Sequence, residues 1–249
     1  TRRIPRGRLQ FRTGYAKMGQ KKAGAVCPGR RENCMRIIGI VPGAKLFGSE
    51  DLYADQYLFV NGYPKRILAN GGTPVGILSS DGYAAEDSLS LCDAFVFCGG
   101  ARFYPYHFQV MEYAAKSGKP VLGICLGMQL LFEKSYEYGE HDGLGFVKGE
   151  VCPLEPDLAD KSLKVPQIGW NALHIVRDDP LFKYIREGEY VYYVHSYYGK
   201  NCAESTLAVS DYSIPVTGAV RAGRVYGTQF HPEKSGDTGL RILKAFAEL

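Results

Sequence analysis

Apolar residues fall in short runs separated by longer amphipathic or turn-rich stretches. Ile37–Val41 is a short apolar run and predicts a first buried strand. Residues 53–70 suit a helix, closed by Gly71-Gly72 and Pro74. Residues 75–78 form a second apolar run. Residues 86–92 precede a third, 94–98, which ends in Gly99-Gly100. Phe108, Met111 and Ala115 recur at helical spacing, and Gly118 stops that helix. Val121–Ile124, led by Pro120, reads as a strand, and residues 126–135, with Leu126, Leu130 and Leu131, suit a helix. Strands alternating with helices predict an α/β fold with a mostly parallel sheet. The second half is richer in strands: 145–151, Tyr190–His195, 206–210, 216–221 and 225–229 are short runs split by turns. Residues 237–248 predict a final helix, with Leu240, Leu243 and Phe246 or Ala247 on one face. Parallel sheets bind ligands beyond the C-terminal ends of their strands, where Gly99-Gly100 and Cys125 both lie.

Cys125 sits in Gly123-Ile-Cys125-Leu-Gly127, the thiol version of the G-x-S-x-G nucleophile elbow. The flanking glycines permit a sharp turn with no side chain blocking the sulfur. That turn leaves the sulfur at a helix N-terminus, where unpaired N–H groups favour thiolate. The N–H of Leu126 points to where an oxyanion would form. One cysteine among seven is otherwise a small buried hydrophobe. A nucleophile also needs a base and an orienter from elsewhere in the chain. His231 follows the last strand, in Gln229-Phe-His231-Pro-Glu233-Lys-Ser, and Glu233 is close enough to hold the far nitrogen of its imidazole. Taken singly, His231 reads as a surface-turn histidine and Glu233 as a solvated acid. Together with the elbow they predict a Cys125-His231-Glu233 triad. His195 is the rival base, but its place on the 190–195 strand suits a structural or substrate-side role.

Charge divides the chain unevenly. Residues 1–34 hold ten Lys/Arg and one acid, a net of +9; the other 215 residues carry 20 Lys/Arg against 25 Asp/Glu, a net of −5. The overall +4 therefore describes an extension, not the domain. Residues 1–34 lack an apolar h-region, so they do not read as a secretory signal. A tag or upstream-translated extension, disordered or non-native, with Met35 as the natural start, is the expected reading; a transit peptide and a basic arm are the competitors. Residues 35–249 are then the folded domain. No run of 18 apolar residues occurs, so no membrane span is expected. The odd cysteine count and the absence of C-x-x-C argue for reduced, cytoplasmic thiols rather than a disulfide framework. The five His are scattered, and no metal or cofactor is expected.

GICLGMQ and FHPEKS resemble a class I glutamine amidotransferase. LLFEKSYEYGEHDGLGFVKGEV, KVPQIGWN, VYYVHSYY and GTQFHPEKSGDTGLRIL are similar to the glutaminase-subunit family of imidazole glycerol phosphate synthase, over residues 118–249. The resemblance implies a flavodoxin-like fold with an added antiparallel portion. It also implies release of ammonia from glutamine through a cysteinyl thioester, for a cyclase subunit in histidine biosynthesis. By position, Cys125, His231 and Glu233 would be nucleophile, general acid/base and orienter. Leu126 and Gly100 would supply the oxyanion N–H groups. Gln129 would line the glutamine site or pack beneath the elbow, and Glu137 would meet the substrate ammonium or sit solvated at a helix end. Ser196 and Tyr197 would give backbone contacts. Trp170 and Lys234 would face the partner subunit, a buried core Trp170 being the alternative.

The first half departs from that family. Val41-Pro-Gly-Ala stands where D-Y-G-x-G-N is usual, and Cys98-Gly-Gly-Ala101 replaces P-G-V-G. RIIGIVP, FVNGYPKRILANGGTPVGIL and CDAFVFCGG, in residues 36–100, instead resemble the γ-glutamyl-γ-aminobutyrate hydrolases. Those enzymes share the fold and triad but act without a synthase partner. A stand-alone γ-glutamyl-amide hydrolase is therefore the alternative activity. That group usually carries Arg where Leu126 stands, so the elbow sides with the glutaminases.

Overall fold

A computed structural model describes residues 36–44, 57–58, 61–80, 83–84, 86–99 and 105–249. All fall within one compact unit, Met35–Leu249. The extension 1–34 lies outside the described residues, as do 53–56 and 59–60 of the expected helix 53–70; that helix is shorter than expected, Gly62–Ala69, and Tyr57–Leu58 instead pairs antiparallel with Gly43–Ala44.

The chain enters the core as β1 (Ile37–Val41) and continues through α1 (Gly62–Ala69), β2 (Thr73–Gly76), α2 (Glu86–Leu91) and β3 (Ala94–Phe97). Next come α3 (Pro105–Lys116), β4 (Val121–Ile124) and α4 (Leu126–Gln129). The remainder is mainly strands: β5 (Phe132–Ser135), β6 (Val147–Pro153), β7 (Gln167–Ala172), β8 (His174–Ile175), β9 (Tyr190–His195), β10 (Tyr197–Lys200), β11 (Thr206–Asp211), β12 (Pro215–Ala222) and β13 (Val225–Thr228). Helix α5 (Gly236–Ala247) follows.

An eight-stranded sheet has the order β8-β11-β12-β13-β4-β3-β1-β2. Strands β13, β4, β3, β1 and β2 run parallel, and β12, β11 and β8 extend the β13 side antiparallel. This is the expected mixture of parallel centre and antiparallel addition. The inner parallel strands β1, β3 and β4 are buried, so they read as unbroken apolar runs, while the edge strand β2 is partly exposed. Alternation in β3 is clear in the packing. Ala94 and Val96 face a cluster with Ile67 of α1 and Ile242, Leu243 and Phe246 of α5, while Phe95 and Phe97 face Val110, Met111 and Ala114 of α3.

A second expected helix is also shorter than its spacing suggests. The helix over 126–135 stops after Gln129, and Phe132–Ser135 is a strand paired parallel with β6. Phe132 is fully buried beneath Gly199 of β10, where any Cβ would overlap its ring. A long-range contact therefore overrides local helical spacing. β5 and β10 share a four-stranded sheet with β6, and β7 pairs with β9. Among the described residues no helix is long and apolar enough to cross a membrane.

Candidate active site

The strand-to-helix corner after β4 carries Cys125 at φ 54° and ψ −108°. Non-glycine residues rarely adopt positive φ, so this corner is strained. Its N–H donates to the Thr228 carbonyl of β13 at 2.7 Å, and its own carbonyl accepts from Met128 and Gln129 at 3.0 and 3.1 Å. The two flanking glycines serve close approach rather than unusual φ. A Cβ at Gly123 would overlap the Gly127 backbone, and one at Gly127 would lie 2.9 Å from the Phe97 carbonyl oxygen. Leu126 opens α4, so its N–H has no intrahelical acceptor. Gly99 backs onto the corner: a Cβ there would sit 3.1 Å from Cε1 of His231 and 3.3 Å from Cβ of Cys125. Gly100 lies outside the described residues.

His231 follows β13, the parallel neighbour of β4, so sheet pairing brings it to the sulfur. Its N–H donates to the Tyr192 carbonyl at 2.9 Å, and Ser235 Oγ donates to its carbonyl at 2.7 Å. Glu233 stands in the short turn Pro232–Lys234, with Oε1 2.8 Å from His231 Nδ1. Both side chains are buried, at 7% and 6% exposure, so neither is the solvated surface group it suggests alone. Nε2 has no aligned hydrogen-bond partner of its own, but the Cys125 sulfur is close enough to couple to it. Burial alone would lower the imidazole pKa. Interaction with Cys125, then with Glu233, outweighs burial and raises it to about 9.

His195 differs in kind. Nδ1 donates to the Tyr197 carbonyl at 2.9 Å, and burial drives its pKa down to about 4, so it is neutral at pH 7. Gln129 is buried, and its amide nitrogen lies 3.1 Å from both the Tyr197 carbonyl and Gln229 Oε1. Gln229, which the sequence reading passed over, places Nε2 3.6 Å from the Cys125 sulfur. Residues 229 and 231 are two apart just beyond β13, and continuing the strand's period-two alternation in the sequence could have placed both on the sulfur side.

The remaining residues are spread more widely. Glu137 lies just beyond β5, half-buried, and burial raises its carboxyl pKa. No described contact joins it to Cys125. The Ser196 carbonyl accepts from Leu154 N–H at 2.9 Å, and that of Tyr197 from Gln129 and His195. Both carbonyls are thus committed within the protein. Trp170 is half exposed on β7, not buried in the core. Its ring meets Tyr192 edge-on at 5.8 Å, and Lys234 Nζ lies 6.0 Å from the Tyr192 ring. Ile168 and Tyr190 are exposed on the same strand pair. Among the described residues no group of His, Cys, Asp or Glu is arranged to hold a metal ion.

A sulfur beside an imidazole, a carboxylate behind that imidazole and a free N–H at a helix start can attack a carbonyl carbon and hold the resulting oxyanion. The family model for glutamine amidotransferase class-I matches residues 65–248, and the chain belongs to that family. Among its relatives, imidazole glycerol phosphate synthase subunit HisH of Wolinella succinogenes is 52% identical over 141 residues, covering 56% of this chain and 68% of that protein. The HisH subunit of Methanosarcina mazei is 44% identical over 183 residues, 73% of this chain and 86% of that one. This longer match reaches beyond the segment 118–249 that carries the resemblance. Two Thermotoga maritima structures share the fold: PurLQS, with TM-score 0.59 and 17% identity over 86% of this chain and 99% of that one, and a glutamine amidotransferase, with TM-score 0.54 and 19% identity over 86% and 83%.

Proposed function

We propose that this protein is a glutamine amidohydrolase whose ammonia feeds a synthase partner in histidine biosynthesis. The observation that carries the reading is the strained corner at Cys125 beside an imidazole held by a buried carboxylate. The Cys125 thiolate attacks the side-chain amide carbon of glutamine. A C–S bond forms as the carbonyl π electrons move onto oxygen, where the Leu126 N–H, with Gly100 as the second donor, holds the charge. As the intermediate collapses the C–N bond breaks, and the His231 imidazolium gives its Nε2 proton to the departing nitrogen. Ammonia leaves. Neutral His231 then takes a proton from water, and the oxygen attacks the thioester carbon. The C–S bond breaks, glutamate departs and the thiolate is restored. Glu233 holds Nδ1–H throughout. We assign Gln129, Glu137, Ser196 and Tyr197 to the glutamine end of the site.

The relatives' name, a synthase subunit, supports an ammonia-accepting partner. We assign that partner to the exposed face of Ile168, Trp170 and Tyr190, with Lys234 at its rim. This face adjoins the catalytic turn, since Tyr192 both touches Trp170 and accepts from His231 N–H. We place the reaction in the cytoplasm, where thiols stay reduced: the five described cysteines are free.

The test compares hydrolysis of glutamine with that of γ-glutamyl-aminobutyrate, and labels the protein with diazo-oxo-norleucine. We expect glutamine to be the faster substrate and the adduct to sit on the peptide containing Cys125. A clear preference for γ-glutamyl-aminobutyrate would transfer the protein to the stand-alone hydrolases. Absence of label at Cys125, under conditions that label a known glutaminase, would remove the proposed nucleophile.

A further inference from the structure

Gln229 is fully buried at the end of β13 and touches the reacting atom. Its Nε2 lies 3.6 Å from the Cys125 sulfur, and its Oε1 lies 3.1 Å from Gln129 Nε2. That same Gln129 nitrogen lies 3.1 Å from the Tyr197 carbonyl. These contacts have a forced direction. A backbone carbonyl can only accept, so the Gln129 amide must present its NH2 to Tyr197. The NH2 so placed donates its second hydrogen to Gln229, which must therefore present oxygen. Gln229 is left with its own NH2 facing the sulfur. Flipping it would set carbonyl oxygen against sulfur and two NH2 groups against each other.

We propose that Gln229 is a positioning residue that fixes the Cys125 sulfur for attack and supports it as thiolate, its amide oriented by Gln129 and ultimately by the Tyr197 carbonyl. In the thiol state the sulfur reaches toward the Val194 carbonyl at 3.9 Å. A thiolate cannot donate, so that contact loses its purpose on ionisation while the Gln229 N–H···S contact strengthens. Two donors then serve the sulfur, with different fates. His231 surrenders its proton to the leaving nitrogen; Gln229 transfers none and stays through both halves of the cycle.

This inference rests on Cys125 as nucleophile, but its test does not depend on glutamine turnover. Gln229→Met keeps side-chain length and removes the donor. The readout is the rate of iodoacetamide alkylation at Cys125 against pH, followed by mass spectrometry of its peptide. We expect the midpoint of the profile to rise by about one pH unit, roughly a tenfold loss of alkylation rate at pH below the midpoint. Gln129→Met, one step further away, should shift it in the same direction by less, and it carries the test should Gln229→Met not fold. A profile unchanged in a folded Gln229→Met protein, with only a lower thermal midpoint, would reduce Gln229 to packing and overturn the proposal. If Gln229→Met does not fold, an unchanged profile in Gln129→Met overturns it equally. Wild-type protein that fails to hydrolyse glutamine would count against the proposed function, and the alkylation profile would still decide the role of Gln229.

Discussion

The backbone at Cys125 costs about 1–3 kcal/mol relative to an ordinary conformation. The Thr228 carbonyl and the Met128 and Gln129 N–H groups hold it there, and the sulfur projects from the turn rather than packing along a strand. Beside it, His231 is the group whose protonation the fold favours. In the unfolded chain its pKa is near 6.5; in the fold, interaction with Cys125 and Glu233 carries it to about 9 against the opposing effect of burial. A raised folded pKa means that protonation favours the native state. This stabilisation is fully present below about pH 6.5 and is lost as the pH rises through 9. Cys125→Ser removes the largest favourable interaction on His231. We therefore expect its imidazole to titrate lower in that variant, followed by the Cε1–H resonance, and the pH range of declining stability to narrow from its upper end. A titration identical to wild type would show that sulfur and imidazole are not coupled.

Elements differ in how plainly the chain announces them. Strands β1 and β4 match their apolar runs residue for residue, because buried strands need little beyond hydrophobicity and flanking turns; β9 matches as well, with alternate residues buried. That Cys125, His231 and Glu233 come together was readable because glycine, proline and spacing carry chemical meaning. The short α4 was not, since Leu126, Leu130 and Leu131 satisfy a helical period and only the distant Gly199 shows why the chain must turn. Nor was the Gln129–Gln229 contact, which joins residues with |i−j| = 100 and leaves no local trace. The elbow glycines yield a measurable contrast. Gly123→Ala forces a Cβ into the Gly127 backbone, which cannot yield as a side-chain tip can. We expect a loss of about 1–3 kcal/mol in urea unfolding, together with loss of hydrolysis as the corner shifts. Gly118→Ala meets open space and is penalised only through its φ of +69°, so about 1 kcal/mol is expected, with turnover retained.

The assembled sheet separates chemistry from docking. In the proposed function, turnover falls to the meeting of β4 with β13 and association to the aromatic face of β7 and β9. Trp170→Ala removes the largest exposed side chain of that face while leaving the buried core untouched. We expect its thermal midpoint and stand-alone glutamine hydrolysis to stay near wild type, and its retention of the synthase partner in pull-down or calorimetry to fall at least tenfold. Equal affinity in the two proteins would move the interface elsewhere.

Strand order also dictates when the enzyme can begin to work. Cys125 leaves the ribosome long before His231, and the seat beside Val121–Ile124 is filled only by Val225–Thr228. Until that closing strand slots in, the corner lacks the Thr228 carbonyl that pins it, and the thiol has no proton partner. A chain without Val225–Thr228 therefore has neither a pinned corner nor an imidazole beside the sulfur, and is expected to be inert toward glutamine.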